Sequence, residues 1–254
     1  MRRRGMICAI LLMSQPVIGQ APVGPSTARL DGSRFGLSVE YGRTTADVLF
    51  DVDGRDQESL DFQTAFADFS VALTSRWEFF LRLGGSQAET TGFNGDWDVA
   101  WGMGTRFTAF QWHALSWGAS AQFTNLMSDA DTIAEFLVDG TPTLLSATDE
   151  LKLVEYVLAT GPTWQQGPLS LYGGPLLRYV HGELETIAGR LEDRFAVHGR
   201  WDAGGYVGAG VTLFRTDPAQ TYGFSRCDLR AEGRFTGDST GFTVGLLLPF
   251  GGAY

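Results

Sequence analysis

Gly237-Asp238-Ser239-Thr240-Gly241 fits Gly-x-Ser-x-Gly, the pattern that presents a serine nucleophile on a sharp turn between a strand and a helix. That chemistry needs a helix after the serine and a histidine further along to take its proton. Here an alternating, strand-like run follows and no histidine comes after His198, so the five residues read as a hairpin turn of turn-forming types. His113 falls in a short turn. His181 and His198 flank one loop, with Glu183, Glu185 and Asp193 close in sequence, a set with the donor types for a metal or a general base. Alternation nevertheless puts His181 on the face of Tyr179 and His198 on the opposite face, with Arg200. Asp51-Val52-Asp53-Gly54 and Asp129-Ala130-Asp131 have the carboxylate spacing of calcium loops but lack the Gly and terminal Glu of an EF-hand. Acidic, solvated loops account for both. No phosphate loop, zinc cluster, dinucleotide fingerprint or haem motif occurs, so no catalytic residue, cofactor or metal site is expected.

A different set of residues carries the pattern. Glu40, Asp68, Arg82, Asp98, Arg106, Arg178, Arg200 and Asp202, with the ladder Arg226, Asp228, Arg230, Glu232 and Arg234, all sit at alternate positions in extended runs. Between them, on the other face, stand Trp, Phe, Leu and Val. In an extended chain successive side chains point to opposite sides, so one face collects charge and the other is apolar. Confined together, such charges would have to pair across strands, because a lone buried charge is expensive.

The runs that position them read as hairpins. Phe35 to Phe50 sets Phe35, Leu37, Val39 and Tyr41 against Ser38 and Glu40. Runs near 63–73, 77–87, 97–107 and 115–124 follow, the last placing Leu115, Trp117, Ala119, Ala121 and Phe123 against Ser116, Gly118, Ser120, Gln122 and Thr124. Residues 127–148 do not alternate, and a short helical turn is expected near Ile133 to Val138. In 150–164 the register predicts Val154, Tyr156 and Leu158 outward with Glu155 inward. Further runs lie at 169–179, 200–213, 226–234 and 243–250. Short turns at Arg76, Gln111, Gly167 and Pro218 should gather at one end, with longer loops at Asp51, Asn94, Asp139 and Gly189 at the other. Glycines such as Gly102, Gly104, Gly204 and Gly208 would let Phe110, Tyr172 or Tyr206 lie flat against the wall.

The last run is Thr243-Val-Gly-Leu-Leu-Leu-Pro-Phe250. Its Thr243, Gly245, Leu248 and Phe250 resemble the terminal-strand signal of bacterial outer-membrane β-barrels, which implies a strand read by the barrel-assembly machinery and closing onto the first strand near Phe35 to Tyr41. The chain runs on through Gly251 to Tyr254, past the aromatic at which that family usually stops; spacing from Gly245 favours Phe250 as the residue that is read. Arg2, Arg3 and Arg4 before the apolar stretch Met6 to Met13 have the form of a signal peptide, with cleavage expected after Gly19. That stretch is too short to span a bilayer.

Composition agrees. Formal charge is −10, and removal of residues 1–19, which hold three arginines and no acids, makes it −13. Nucleic acid is thereby disfavoured as a partner. Of the two cysteines only Cys227 follows the leader, so no internal disulfide can form. The expected organisation is a signal peptide 1–19, a polar mobile lead-in 20–33 and one domain 34–254. The expected fold is all-β, a closed antiparallel up-and-down transmembrane β-barrel of about ten strands, with eight or twelve as alternatives. Localisation follows as the outer membrane of a Gram-negative-type bacterium, with outer-membrane lipid as partner. The expected function is a non-enzymatic, porin-like barrel with a largely side-chain-filled lumen, serving structure, surface contact or narrow solute passage. The alternatives are a hydrolase at the rim, similar to omptin proteases or lipid-A-modifying enzymes, and a secreted soluble all-β binding protein.

Overall fold

The computed structural model describes residues 23–30, 33–49, 57–90, 93–138, 141–188, 191–216 and 224–251. Eleven strands and no helix occur among them: β1 (Phe35–Leu49), β2 (Gln57–Thr74), β3 (Trp77–Thr90), β4 (Phe93–Asn94), β5 (Asp98–Trp112), β6 (Leu115–Val138), β7 (Thr141–Gln166), β8 (Leu169–Ala188), β9 (Leu191–Arg215), β10 (Arg226–Thr236) and β11 (Ser239–Phe250). Neighbours pair antiparallel, and the two-residue β4 extends the line of β5 along β3. β1 pairs with β2 on one side and with β11 on the other, Phe35 opposite Phe250 and Tyr41 opposite Val244. The sheet therefore closes through ten long strands and leaves no free edge at the seam.

The faces follow the sequence alternation. Outward positions carry Leu37, Val39, Phe69, Leu81, Leu83, Met103, Phe107, Leu158, Leu177, Val207 and Leu229, all exposed. Inward positions carry nearly all the buried charge. Val154, Tyr156 and Leu158 turn away from buried Glu155, the predicted register. A soluble protein puts such apolar rows in its core; here water would meet them, and only hydrocarbon makes the arrangement favourable.

Aromatic residues mark both borders of the apolar band. Trp101, Phe123, Tyr156, Tyr179 and Trp201 form an unbroken outward row across β5 to β9, with ring centroids 5.2, 5.4, 6.4 and 5.0 Å apart. Near the short turns, Phe69 stacks on Phe35 and Phe35 on Phe250, while Phe110 lies on Trp117. From Trp164 to Tyr156 is eight residues, about 26 Å of strand and about 20 Å of height at a tilt of about 40°. That approximates the apolar band of a membrane barrel.

Two expectations about the connections fail. Loop length does not segregate: ten residues, 216–225, separate β9 from β10 at the end of the short turns, with the expected turn at Pro218 outside the described residues, and at the opposite end only two residues separate the strands at 139–140, 189–190 and 237–238. Nor is there a helical turn at Ile133 to Val138, because β6 runs to Val138 and pairs with β7 throughout. Length lies in the strands instead; β6, β7, β8 and β9 have 24, 26, 20 and 25 residues. Continued pairing satisfies backbone groups that an irregular loop would leave to solvent, and above the bilayer the outer face meets water, so apolar residues are no longer required on it. β5 leaves β6 at Asn125 and β10 leaves β9 at Gly204, so a four-stranded wall stands above the aromatic row. Its path from Tyr156 to Thr141 is about 50 Å.

Candidate functional site

What fills the barrel determines what it can do. Residues 23–30, expected as a mobile lead-in, lie inside the ring. Val23, Ser26, Thr27, Arg29 and Leu30 are all buried. The segment has no regular structure, so its backbone must find partners on the wall, and it does. Glu232 accepts from the amides of Val23 at 2.8 Å and Gly24 at 2.7 Å. Ala28 N donates to Thr108 Oγ1 at 3.0 Å and Arg29 N to Glu78 Oε2 at 2.6 Å, while Arg29 O accepts from Arg226 at 2.6 Å. Ser26 and Tyr206 share a short hydroxyl contact, and Thr27 donates to Thr163 at 3.0 Å.

Two glycines admit the segment. A Cβ on inward-facing Gly118 would lie 2.7 Å from the Ser26 carbonyl oxygen, and one on Gly36 would lie 2.5 Å from Leu30. Gly24 itself has φ +67°, a bend that L side chains rarely adopt.

Around the segment lies a network of opposite charges. The Arg29 guanidinium reaches Glu78 at 3.3 Å and Glu40 at 3.4 Å, and Arg106 reaches Glu78 at 3.1 Å. Arg82 pairs with Asp68 at 3.3 Å and stands 4.0 Å from Glu40. Arg106 and Arg82 also lie 4.0 and 5.0 Å from the centroid of Phe80, for which the bare backbone of Gly104 makes room. Arg226 and Arg230 share Asp228, at 2.9 and 3.4 Å, and Arg178 pairs with Glu155 at 2.9 Å. Arg29, Arg82, Arg106, Arg178, Arg226, Arg230 and Arg234 thus face Glu40, Asp68, Glu78, Glu155, Asp228 and Glu232, seven cations against six anions. Near-balance of this kind is what makes so much buried charge tolerable.

Above the charges the filling turns apolar. Leu60, Phe62, Phe66, Phe93, Leu126, Leu151, Leu153 and Val197 pack together inside the barrel. Tyr172 and Tyr206 join Val23 and Val157 in a second cluster, with Tyr172 lying over Gly208.

Several residues fall elsewhere than the sequence pattern suggests. Asp98 is half-buried at the start of β5, accepts from Val99 N, and is remote from the network. Asp202 caps the β10–β11 turn by accepting from Gly237 N and Asp238 N at 3.1 and 3.2 Å. The side chains of Arg200 and His198 lie outside the described residues, as does Asp51-Val52-Asp53-Gly54. Gly102 makes room for Arg82 and Gly204 for Thr236, while Phe110 points outward. His181 stacks outward on Tyr156, ring centroids 6.1 Å apart, and faces away from Asp202. Ser239 of the Gly-x-Ser-x-Gly pattern shares a hydrogen bond with Thr236 at 2.7 Å in the β10–β11 turn. No group of three His, Cys, Asp or Glu able to hold a metal occurs among the described residues. Glu78 and Glu155 join the network at the inward positions that alternation gives them, whereas Arg29 enters unannounced, since nothing local marks it.

In the terminal strand, Thr243 is buried and faces inward. A Cβ at Gly245 would come within 2.7 Å of Glu40 Cγ, so glycine there clears a network member. Phe250 packs outward on Phe35 and Phe224.

An apolar exterior, aromatic borders, a charged interior and a closed antiparallel ring now stand together. This is the architecture of an outer-membrane β-barrel. No protein-family model matches the chain. No curated protein matches it in sequence. Similar solved structures include the outer membrane protease OmpT from Escherichia coli, at 9% identity and TM-score 0.47, covering 88% of this chain and 99% of that one. The translocator domain of the autotransporter NalP from Neisseria meningitidis is similar at 11% identity and TM-score 0.47, covering 87% and 91%. An outer membrane channel from Pseudomonas putida F1 is similar at 12% identity and TM-score 0.45, covering 91% and 100%.

Proposed function

We propose that this chain is an integral outer-membrane barrel with an occupied, non-conducting lumen, and that it serves surface contact or envelope structure through the wall formed by β6 to β9. The observation that carries this reading is the segment 23–30, hydrogen-bonded across the lumen to β3, β5, β7, β9 and β10. A ten-strand ring is narrow to begin with, and among the described residues the segment, the ion network and the apolar layer above it share its interior, which supports a closed lumen. With the short turns and both termini of the barrel toward the periplasm, the tall wall stands on the cell exterior, where an exposed β-surface can meet other molecules.

Planar-bilayer recording tests the reading. The mature protein should show no stable conductance, and deletion of residues 23–30 should give discrete openings. Porin-sized steady currents from the intact protein would exclude it.

A further inference from the structure

Below the docked segment, toward the short turns, the lumen contains a cavity of about 100 Å³. One water needs roughly 10–15 Å³ on this measure, so there is room for a polyatomic ion with solvent. Thr27, Ala28 and Arg29 of the segment form part of its lining, and Ser75, Gln111 and Pro168 carry it to the turn end of the barrel.

The chemistry of the lining is one-sided. Arg29, Arg226 and Arg230 contribute three guanidiniums to the lining, against one carboxylate there, Asp228, with Arg29 held from behind by Glu40 and Glu78. That carboxylate is already engaged by Arg226, Arg230 and, at 2.8 Å, the hydroxyl of Thr212. Arg230 spends only one nitrogen there. Its Nε and Nη1 are buried and without an acceptor, although its side chain is just 13% exposed. Both nitrogens lie just beneath the cavity surface, so a turn of the Arg230 side chain into the cavity would bring them to an oxygen anion, the partner that best satisfies unpaired guanidinium N–H groups. Gly210 maintains the space: a Cβ there would lie 2.6 Å from Ser170 Oγ and 3.3 Å from Arg230 Cγ. Thr108, which accepts from Ala28 N, retains a hydroxyl proton to donate.

We propose that this cavity binds a small oxyanion of carboxylate or phosphate size, held by Arg230 and the surrounding hydroxyls and reached from the turn end. A metal cation is disfavoured by the guanidiniums in the lining, and an apolar ligand by the two unmet donors of Arg230 and the surrounding hydroxyls. The site goes beyond the closed-lumen reading and does not depend on it, since an anion can enter this cavity whether or not ions cross the barrel.

The test is isothermal titration of the full mature chain in zwitterionic micelles with sodium phosphate and, separately, sodium acetate, at constant ionic strength in chloride buffer. One-site saturable binding of at least one of them is expected, weakened at least about tenfold in Arg230→Gln and unchanged in Arg34→Gln, an exposed arginine. Phosphate alone would identify a tetrahedral oxyanion, acetate alone a carboxylate; either supports the site. Should Arg230→Gln fail to fold, Gly210→Ala crowds the same side chain without removing charge and must weaken binding. No saturable binding of either anion, or equal binding by the folded variants, would overturn the proposal.

Discussion

Glu232 gives the sharpest test of how the lumen is held shut. It is 3% exposed, and its two oxygens accept the amides of Val23 and Gly24. Substitution Glu232→Gln keeps shape and volume but removes the charge and one of the two acceptors. Hydrogen bonds to charged groups are worth about 1.5–3 kcal/mol each, and the orphaned amide stays buried. Loss of one such bond and weakening of the other should cost docking about 2–3 kcal/mol, a factor of about 30 to 150 in the opening equilibrium. The wall itself is held by strand pairing, so the cost falls on the segment. A single thiol at Val23→Cys, a fully buried position outside the cavity, with Cys227→Ser to remove the buried native one, reports opening through its rate of alkylation in vesicles. The rate should rise by about the stated factor in Glu232→Gln. A change of less than about threefold would mean that these two hydrogen bonds do not retain the segment.

Other outcomes follow from the same geometry. Leu81 is outward in the middle of the apolar band, whereas Leu144 is exposed near the wall's tip. Leu81→Arg should lower stability to urea in lipid vesicles by about 2–4 kcal/mol and Leu144→Arg by close to nothing, and equal effects would contradict the membrane placement. Gly118→Ala puts a methyl against the Ser26 carbonyl and should raise alkylation at position 23, with a loss of about 1–3 kcal/mol in docking. Phe250→Ala removes the stack on Phe35 and should reduce the fraction of chains that reach the folded form in cells, while Tyr254→Ala should not. Pulse-labelling with unboiled gels reads both.

The sequence was legible wherever the bilayer imposes a rule. Between the aromatic borders each residue must face lipid or lumen, so Leu81 next to Arg82, or Leu229 between Asp228 and Arg230, announces its own direction. The closing pair β1–β11 was legible for the same reason, since both strands keep strict alternation. Above Tyr156 the rule lapses, and the extended hairpins of β6 to β9 could not be distinguished from loops. The docked segment was opaque for another reason. Pro25, Ser26, Thr27 and Arg29 have the composition of a linker, and what orders them is a set of complements on remote strands: Glu232, Glu78, Thr108, Tyr206 and the space above Gly118. Long-range satisfaction of irregular backbone leaves no local periodicity to read.

The measurement that bears most directly on the whole account is gel migration of the outer-membrane fraction before and after boiling. A closed barrel resists detergent until heated, because every strand edge is paired. The chain should remain in carbonate-washed outer membranes, and unboiled samples should run at a different apparent mass, shifting to the unfolded position only on heating. A carbonate-soluble protein, or one with identical mobility in both samples, would contradict the membrane barrel and everything built on it.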